Sequence, residues 1–188
     1  MRIMAFGHRK QVGKDTACNF LVSHLKLNTK NQRIGKLGFA TKLYDICHQL
    51  YGWLGFKDEI YYETHQDEKE KVLSIIGKTP RQILLDMGTK VCREVYQYTW
   101  VDYIASNMNY DYIAIKDMRF ENEFKAIKDN GGYCIRIDRP SIPHTDDIAD
   151  TGLAHLPDSA WDAVIMNNGS LNDLHANVIQ LSRRFFNI

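Results

Sequence analysis

The sequence predicts an α/β fold in which helices flank a five-stranded parallel sheet, because five short apolar segments alternate along the chain with helical patterns. Alternation of this kind favours a parallel sheet with right-handed crossovers, since a parallel neighbour can be reached only through a crossover connection. The chain has 188 residues, of which 44% are hydrophobic and 25% charged, as in ordinary globular proteins. We therefore expect residues 1–188 to form one domain with little disorder.

The first two predicted strands are each followed by a helix. Residues 2–6 are short and apolar, and after a loop at residues 7–16 a helical pattern repeats its apolar residues every four positions. The second strand is predicted over residues 33–39. The apolar positions of the two helices are Ala17, Leu21 and Leu25 in the first and Leu43, Ile46, Cys47 and Leu50 in the second.

The middle of the chain is predicted to be helical. Residues 57–71 are highly charged, which indicates a solvated helix or a mobile insert. A further helix is expected to begin at Thr79-Pro80-Arg81 and to pack on a core. Its predicted apolar face is formed by Ile83, Leu84, Met87, Val91 and Val95.

Three more strands complete the predicted sheet, at residues 112–115, 133–137 and 163–166. A helix lies between the first two and ends at Gly131-Gly132, and an irregular segment covers residues 139–159. The last helix begins at a capping-box variant on Ser170. Its apolar positions are Leu171, Leu174, Val178, Leu181 and Phe185.

Charge and hydropathy exclude several classes of function. The formal net charge is +1, without the basic excess that binding to a nucleic acid polymer requires. The longest stretch without a formal charge, residues 46–56, is too short and polar to cross a membrane, and the first residues lack the apolar core of a signal peptide. We therefore expect a cytoplasmic protein.

The cysteines are widely spaced and form no zinc-binding pattern. No Cys-x-x-Cys pair occurs in the sequence, and no His-x-x-x-His completes a site. Reduced and mostly buried thiols are the favoured interpretation. The residues concerned are Cys18, Cys47, Cys92 and Cys134.

The loop at residues 7–16 has the context of a phosphate-binding loop, because it joins a buried strand to a helix and ends in Gly13-Lys14-Asp15-Thr16. Backbone N–H groups of such a loop converge on phosphate oxygens, and the lysine adds a positive charge. Five residues instead of four separate Gly7 from Gly13, and Asp15 stands at the usual Ser/Thr position. Asp15 or Thr16 would lie near a Mg²⁺ ion. An ordinary helix start with a Gly-Lys pair is the alternative.

Four features in this order resemble the bacteriophage-encoded deoxynucleoside monophosphate kinases, a branch of the P-loop nucleoside monophosphate kinases. They are the loop GKDT at 13–16, TPRQILLDMGT at 79–89, Trp100, and DMRFENE at 117–123. Shorter matches continue at residues 131–132, 139–140, 151–153 and 167–171. In the 139–153 segment the resemblance is looser, because Asp147 and Asp150 stand where the family carries His and Glu, and His144 is displaced.

The resemblance implies a three-layer P-loop kinase fold that transfers the γ-phosphoryl group of ATP, with Mg²⁺, to a deoxynucleoside 5′-monophosphate. The product diphosphates would serve phage DNA replication in the host cytoplasm. It also implies a helical acceptor-binding part at residues 40–108 and a lid-like segment at 139–159, and it favours a homodimer. The expected partners are therefore small nucleotides, with no nucleic acid polymer and no membrane.

The same resemblance assigns roles to individual residues. The expected catalytic residues are Lys14, Asp15, Asp117 and Arg119, with Asp15, Thr16 and Asp117 near the metal. The expected ATP-binding residues are Gly7, Arg9, Lys10, Val12, Gly13, Lys14, Asp15, Thr16 and Arg139, while Arg136 has weaker support. The expected acceptor-binding residues are Arg81, Gly88, Trp100 and Arg119. Phosphoryl transfer supports such a set on chemical grounds, because it needs several cations that converge on two anions.

Ordinary structural roles stay open for several of these residues. Asp117 and Arg119 could form a surface pair, Arg81 could face solvent, and Trp100 could pack in a core. Gly88 costs stability inside a helix, which suggests close approach by a substrate or by another helix.

Two other functions also stay open. A dephospho-coenzyme A kinase, or another small-molecule kinase of the same fold, would share the phosphate loop but need a different acceptor pocket. A non-catalytic switch module would bind nucleotide without transferring a phosphoryl group.

Overall fold

The computed structural model describes residues 1–143, 146 and 148–188. The chain divides into two compact units. The first unit comprises Met1–Gly38 and Ile104–Ile188, and the second comprises Phe39–Tyr103. Two residues singled out above, His144 and Asp147, lie outside the described residues.

Strands and helices alternate in the first unit as the sequence predicts. The strands are β1 (Arg2–Gly7), β2 (Ile34–Leu37), β3 (Tyr112–Met118), β4 (Tyr133–Asp138) and β5 (Ala163–Met166). The helices of the chain are α1 (Lys14–Asn28), α2 (Thr41–Tyr51), α3 (Glu59–Thr64), α4 (Pro80–Leu85), α5 (Cys92–Val95), α6 (Thr99–Ser106), α7 (Glu121–Asp129), α8 (Ile148–Thr151) and α9 (Leu171–Phe186). Short 3₁₀ turns occupy Gly52–Leu54, Gln66–Glu70 and Asp158–Ala160.

The five strands form one parallel sheet in the order β2-β3-β1-β4-β5, which confirms the predicted fold class. The central strand β1 is buried along nearly its whole length. A strand covered on both faces reads as a continuous apolar run, which explains the sequence of its first residues. The carboxyl ends of parallel strands share one edge of the sheet, and this carboxyl edge receives the loops that follow β1, β3, β4 and β5.

Helices α1 and α9 pack with the sheet to form the main core. Ala17, Leu21 and Leu25 of α1 are buried, as predicted from their spacing. From α9, the residues Leu174, Val178, Leu181 and Phe186 join the same core. The prediction for Leu171 was wrong, because this residue is the first of the helix and its side chain is exposed.

Strand β3 is longer than predicted and irregular at its end. It continues to Met118, so Asp117 lies within the strand instead of following it. Ala5 pairs with Ile115 and Gly7 with Met118, which leaves one extra residue on β3. Such a bulge bends a strand and re-aims its side chains, and bulges are frequent beside active sites.

The second unit is helical, but its longest predicted helix is interrupted. A π-helical turn at Asp86–Val91 separates α4 from α5. Each π turn contains an extra residue, so the positions beyond it rotate away from the face set by α4. Ile83 is buried, whereas Val95 is 84% exposed. The predicted core face is therefore correct at its start and wrong at Val91 and Val95.

The charged stretch at residues 57–71 has defined local structure. Asp58 caps α3 by accepting a hydrogen bond from the N–H of Tyr61. The ring of Tyr62 is buried against Phe56 and Tyr44, and its hydroxyl accepts from the N–H of Lys57 at 3.0 Å. The many charged residues of this stretch therefore gave no indication that Tyr62 is buried and anchors it.

Within the described parts of the chain, no helix combines the length and apolar character that crossing a membrane requires.

Candidate active site

The phosphate loop, defined here as residues 7–16, leaves β1 at the carboxyl edge and ends in α1. A Cβ on Gly7 would lie 2.7 Å from Cε and 3.1 Å from the carbonyl oxygen of Met118, so glycine fits the close approach of β1 and β3 without a shift of that side chain. Gly13 caps α1 with φ of +106°, a conformation that suits glycine. His8 and Gln11 also have positive φ, so the backbone conformation is unusual at three of the loop positions. Val12 is buried and anchors the loop to the core.

Lys14 begins α1 and is buried at this edge. Its ammonium group donates a hydrogen bond to the carbonyl oxygen of Arg9, within the loop. Burial, followed by repulsion from Arg119, holds the pKa of Lys14 well below its usual value. The carboxylates of Asp15, Asp150 and Asp117 act in the opposite direction. The structure thus brings two predicted cations, Lys14 and Arg119, close enough to repel each other.

Arg9 is a second buried cation of the loop. One guanidinium nitrogen donates to the carbonyl oxygen of Ile142 at 3.2 Å, while its Nε is buried without a hydrogen-bond partner among the described residues. A buried N–H without an acceptor costs free energy, about 1–3 kcal/mol, so an acceptor from a ligand would stabilise it. An unpartnered guanidinium N–H beside a phosphate-type loop fits an anionic ligand.

The backbone at Arg119 is held by Glu123, a residue that the sequence analysis did not single out. The buried Glu123 carboxylate accepts from the N–H of Arg119 at 2.8 Å and from the N–H of Phe120 at 3.1 Å. Glutamate at the third position of α7 reaches back to the helix start, as in a capping box. That spacing is the signal that could have identified it.

Asp150 is the other residue that the sequence did not place in the site. It lies in α8 and is only 4% exposed. Its Oδ1 accepts from the backbone N–H of Lys10 at 2.8 Å and from the guanidinium of Arg119 at 2.9 Å. Its Oδ2 lies 3.9 Å from the ammonium of Lys10. A buried carboxylate therefore joins the phosphate loop to Arg119.

Asn167 supports the loop from the end of β5. Its side-chain amide donates to the carbonyl oxygen of Val12 at 2.8 Å, and its backbone N–H donates to the carbonyl oxygen of Asp138 at 2.7 Å. A Cβ on Gly13 would lie only 2.6 Å from the side-chain amide nitrogen of Asn167. This contact favours glycine at position 13 in addition to the φ angle, because any other residue would displace the Asn167 side chain.

The two arginines near the end of β4 differ in their surroundings. Arg136 is engaged by carboxylates, since it lies 2.8 Å from Asp138 and 2.7 Å from Asp158. Arg139 is exposed. Arg139 therefore stays a predicted donor-side contact, while Arg136 is occupied within the fold.

His8 lies beside this group of charges. Its Nδ1 is 2.7 Å from Oδ1 of Asp138, and its ring meets Trp161 edge to face. Burial lowers the pKa of His8 in spite of the adjacent Asp138 carboxylate, and the cations Arg136 and Arg9 act in the same direction as burial.

The predicted acceptor residues of the second unit have mostly structural contacts. The indole N–H of Trp100 donates to the carbonyl oxygen of Gly88 at 3.0 Å, and the ring is only 4% exposed. A Cβ on Gly88 would lie 2.6 Å from Leu43 of α2, which explains the glycine by close helix approach. Both observations support the packing alternatives for these two residues.

Arg81 differs from Trp100 and Gly88 because its side chain forms an ion pair instead of a packing contact. It lies at the start of α4 and forms an ion pair with Glu70, whose side chain is largely exposed. A partly exposed ion pair of this kind contributes little to stability, so its arginine can exchange a carboxylate for a phosphate at low cost.

The oxygen ligands expected for a metal lie around Lys14. Asp15 is exposed at the start of α1, next to Thr16, and Asp117 ends the bulged part of β3. The described residues include no group of three His, Cys, Asp or Glu side chains that could hold a metal alone. Magnesium ordinarily takes one or two protein carboxylates and completes its shell with water and phosphate oxygens. This donor set therefore fits Mg²⁺ bound together with a nucleotide.

The fold is that of the P-loop kinases. In a solved structure, the shikimate kinase of Bacteroides thetaiotaomicron superposes with a TM-score of 0.53 at 10% identity, and the match covers 100% of this chain and 99% of that one. The sequence model of the deoxynucleotide monophosphate kinase family matches residues 47–178. The chain belongs to that family.

A viral relative supports the same membership. A candidate deoxynucleotide monophosphate kinase of Acanthamoeba polyphaga mimivirus is 28% identical over 185 residues, which covers 90% of each chain. The likeness to the shikimate kinase shows the fold alone. The family, with the P-loop kinase fold, makes the protein a nucleotide kinase.

Proposed function

We propose that the protein transfers the γ-phosphoryl group of ATP to deoxynucleoside 5′-monophosphates and releases the diphosphate and ADP. One observation supports this most strongly, namely that Asp150 accepts hydrogen bonds both from the guanidinium of Arg119, at 2.9 Å, and from the backbone N–H of Lys10 in the phosphate loop, at 2.8 Å, so that Arg119 lies beside that loop at the carboxyl edge of the sheet. Cationic side chains held beside such a loop would neutralise a bound anion. Transfer between two phosphates requires this neutralisation more than it requires covalent help from the protein.

On the donor side, the phosphate loop and Lys14 would hold the β- and γ-phosphates of ATP. Lys14 now donates to the carbonyl oxygen of Arg9, and a phosphate oxygen would replace or share that bond. The Nε of Arg9, which has no hydrogen-bond partner among the described residues, would gain an acceptor. Arg119 would neutralise the phosphoryl group as its negative charge spreads in the transition state.

Magnesium would bind at Asp15, Thr16 and Asp117 together with the phosphates. When bound, the ion supplies charge neutralisation and aligns the β- and γ-phosphates. The chain's own oxygen atoms would hold it from one side only, and the nucleotide would complete the site.

On the acceptor side, Arg81 is the proposed ligand of the monophosphate. Its planar guanidinium matches two phosphate oxygens, and Glu70 holds that group in the absence of substrate. Trp100 and Gly88 would shape the second unit instead of contacting the base.

A panel of acceptors tests the proposal directly. The four deoxynucleoside and four ribonucleoside monophosphates are each incubated with ATP and Mg²⁺, and ADP release is followed with a coupled assay. We expect turnover with one or more deoxynucleotides. Turnover with dephospho-coenzyme A and with no deoxynucleotide would contradict it, and so would nucleotide binding without ADP release from any pair.

A further inference from the structure

The contacts of Asp150 separate two roles that Arg119 could have. Arg119 could neutralise the phosphates of the donor, or it could hold the phosphate of the acceptor. Asp150 binds Arg119 and the backbone of Lys10 through the same oxygen atom, at 2.9 and 2.8 Å. Lys10 is a residue of the phosphate loop, so the guanidinium is attached to the loop that carries the donor.

Close packing holds Asp150 in this place. Gly152 follows it by two positions, and a Cβ there would lie 2.6 Å from the carbonyl oxygen of Arg119. Leu153, the next residue, is buried. The guanidinium of Arg119 also donates to the carbonyl oxygen of Ala149 at 3.2 Å. The chain from Ala149 to Leu153 therefore lies directly against both the backbone and the side chain of Arg119.

Charge accounts for the choice of residue at position 150. The ammonium of Lys10 lies 3.9 Å from this carboxylate and the guanidinium of Arg119 lies 2.9 Å from it, and the same carboxylate attracts Lys14. A buried carboxylate that accepts hydrogen bonds from several donors fixes their positions. Without it, the guanidinium of Arg119 would lose a charged partner and a fixed orientation.

We propose that Asp150 is a positioning residue that fastens Arg119 to the phosphate loop, so that Arg119 serves the phosphates of the nucleotide donor and not the acceptor. This inference rests on the proposed function for its kinetic consequences. Its binding consequences can be measured without any acceptor.

The first experiment compares Asp150→Asn with the wild type in the coupled assay. Asparagine keeps the shape and an acceptor oxygen but removes the charge that holds Arg119. We expect kcat to fall about 10-fold to 100-fold, as expected for a misplaced catalytic group, with the acceptor KM unchanged within about 2-fold. Asp150→Glu, which restores the charge on a longer side chain, should recover part of the loss. A rise in the acceptor KM with unchanged affinity for ADP would overturn the proposal.

A matched control separates positioning from stability. Asp162 also accepts a backbone N–H, from Cys134 at 2.7 Å, and binds a cation, Lys128 at 2.7 Å, but it lies at the amino end of β4 and β5. Asp162→Asn should lower the melting temperature without changing the kinetic constants. If it reduced kcat as much as Asp150→Asn, the Asp150 effect would be one of stability and the proposal would be wrong.

A binding cycle tests the attachment without relying on turnover. The Kd of ADP is measured by calorimetry for the wild type, Asp150→Asn, Arg119→Ala and the double variant. We expect Asp150→Asn to weaken ADP binding in the wild-type background, and to weaken it much less once Arg119 is absent. Equal effects in both backgrounds would contradict the coupling. If the wild type phosphorylated no deoxynucleotide, the proposed function would fail, while this cycle would still decide the link between Asp150, Arg119 and the donor.

Discussion

The carboxyl edge of the sheet and the helical second unit hold their candidate residues in different ways. At the edge, buried contacts join residues from distant parts of the chain, such as Asp150 with Lys10 and Arg119. In the second unit, Gly88 and Trp100 bind each other, and Arg81 pairs with an exposed glutamate. The edge gathers buried charged groups that pair across distant parts of the chain, whereas the second unit uses Gly88 and Trp100 for its own packing. The proposed function is therefore based on the buried cations of the edge.

The largest expected effect comes from Lys14. Lys14→Ala removes the group proposed to hold the transferring phosphate, and kcat should fall at least about 10²–10³-fold, as when an oxyanion donor is removed. Transfer is measured with the coupled ADP assay, and folding with circular dichroism. Lys26→Ala, at the exposed other end of α1, is the matched control and should keep full activity. Activity near the wild-type level in Lys14→Ala would show that the carboxyl edge of the sheet takes no part in the mechanism.

Arg81 should show the next largest effect, because it is the residue of the second unit that is proposed to bind the acceptor phosphate. Arg81→Ala should raise the acceptor KM about 10-fold to 100-fold, since hydrogen bonds between charged groups contribute about 1.5–3 kcal/mol. The KM of ATP should change far less. Arg93→Ala, another partly buried arginine of the same unit, is the control. An unchanged acceptor KM in Arg81→Ala would leave the second unit without a substrate contact.

A substitution at Trp100 distinguishes a role in packing from a role in binding the acceptor. Trp100→Phe leaves the buried carbonyl of Gly88 without its donor, and should lower the free energy of unfolding by about 1–3 kcal/mol. The acceptor KM should stay the same. Trp53→Phe is the control, because Trp53 is 81% exposed and its loss should change stability by less than about 0.5 kcal/mol. Urea denaturation and the acceptor panel together make the measurement, and altered base preference would contradict the packing role.

The smallest expected effect concerns His8 and pH. Because the pKa of His8 is lowered in the folded state, the unfolded chain takes up a proton first as the pH falls below about 6.5. The free energy of unfolding of the wild type should therefore fall as the pH decreases from about 6.5 to the lower folded pKa of His8. Above about 6.5 this loss should be absent. His8→Asn, which tolerates the positive φ, should lose less stability on acidification. Urea titrations at several pH values test this, and equal pH dependence in the two proteins would refute it.

Sequence patterns predicted the local features of the edge correctly. The strand, the phosphate loop and the first turn of α1 are continuous in the chain, so glycine spacing and apolar periodicity record them directly. The same periodicity misled at Val91 and Val95, because one extra residue in a π turn changes which face points inward. Asp117 was placed after its strand for a related reason, since a bulge extends β3 beyond its apolar run.

The sequence by itself therefore determined the α/β alternation, the five strands, the phosphate loop and its lysine, since each depends on neighbours a few residues apart. Only the tertiary structure decided that Asp150 holds Lys10 from 140 positions away, that Asn167 braces the loop, and that Trp100 is buried. The physical reason is that hydrogen bonds and burial depend on distance in space. Parallel strands bring remote segments to one edge, and no local pattern records which of them meet.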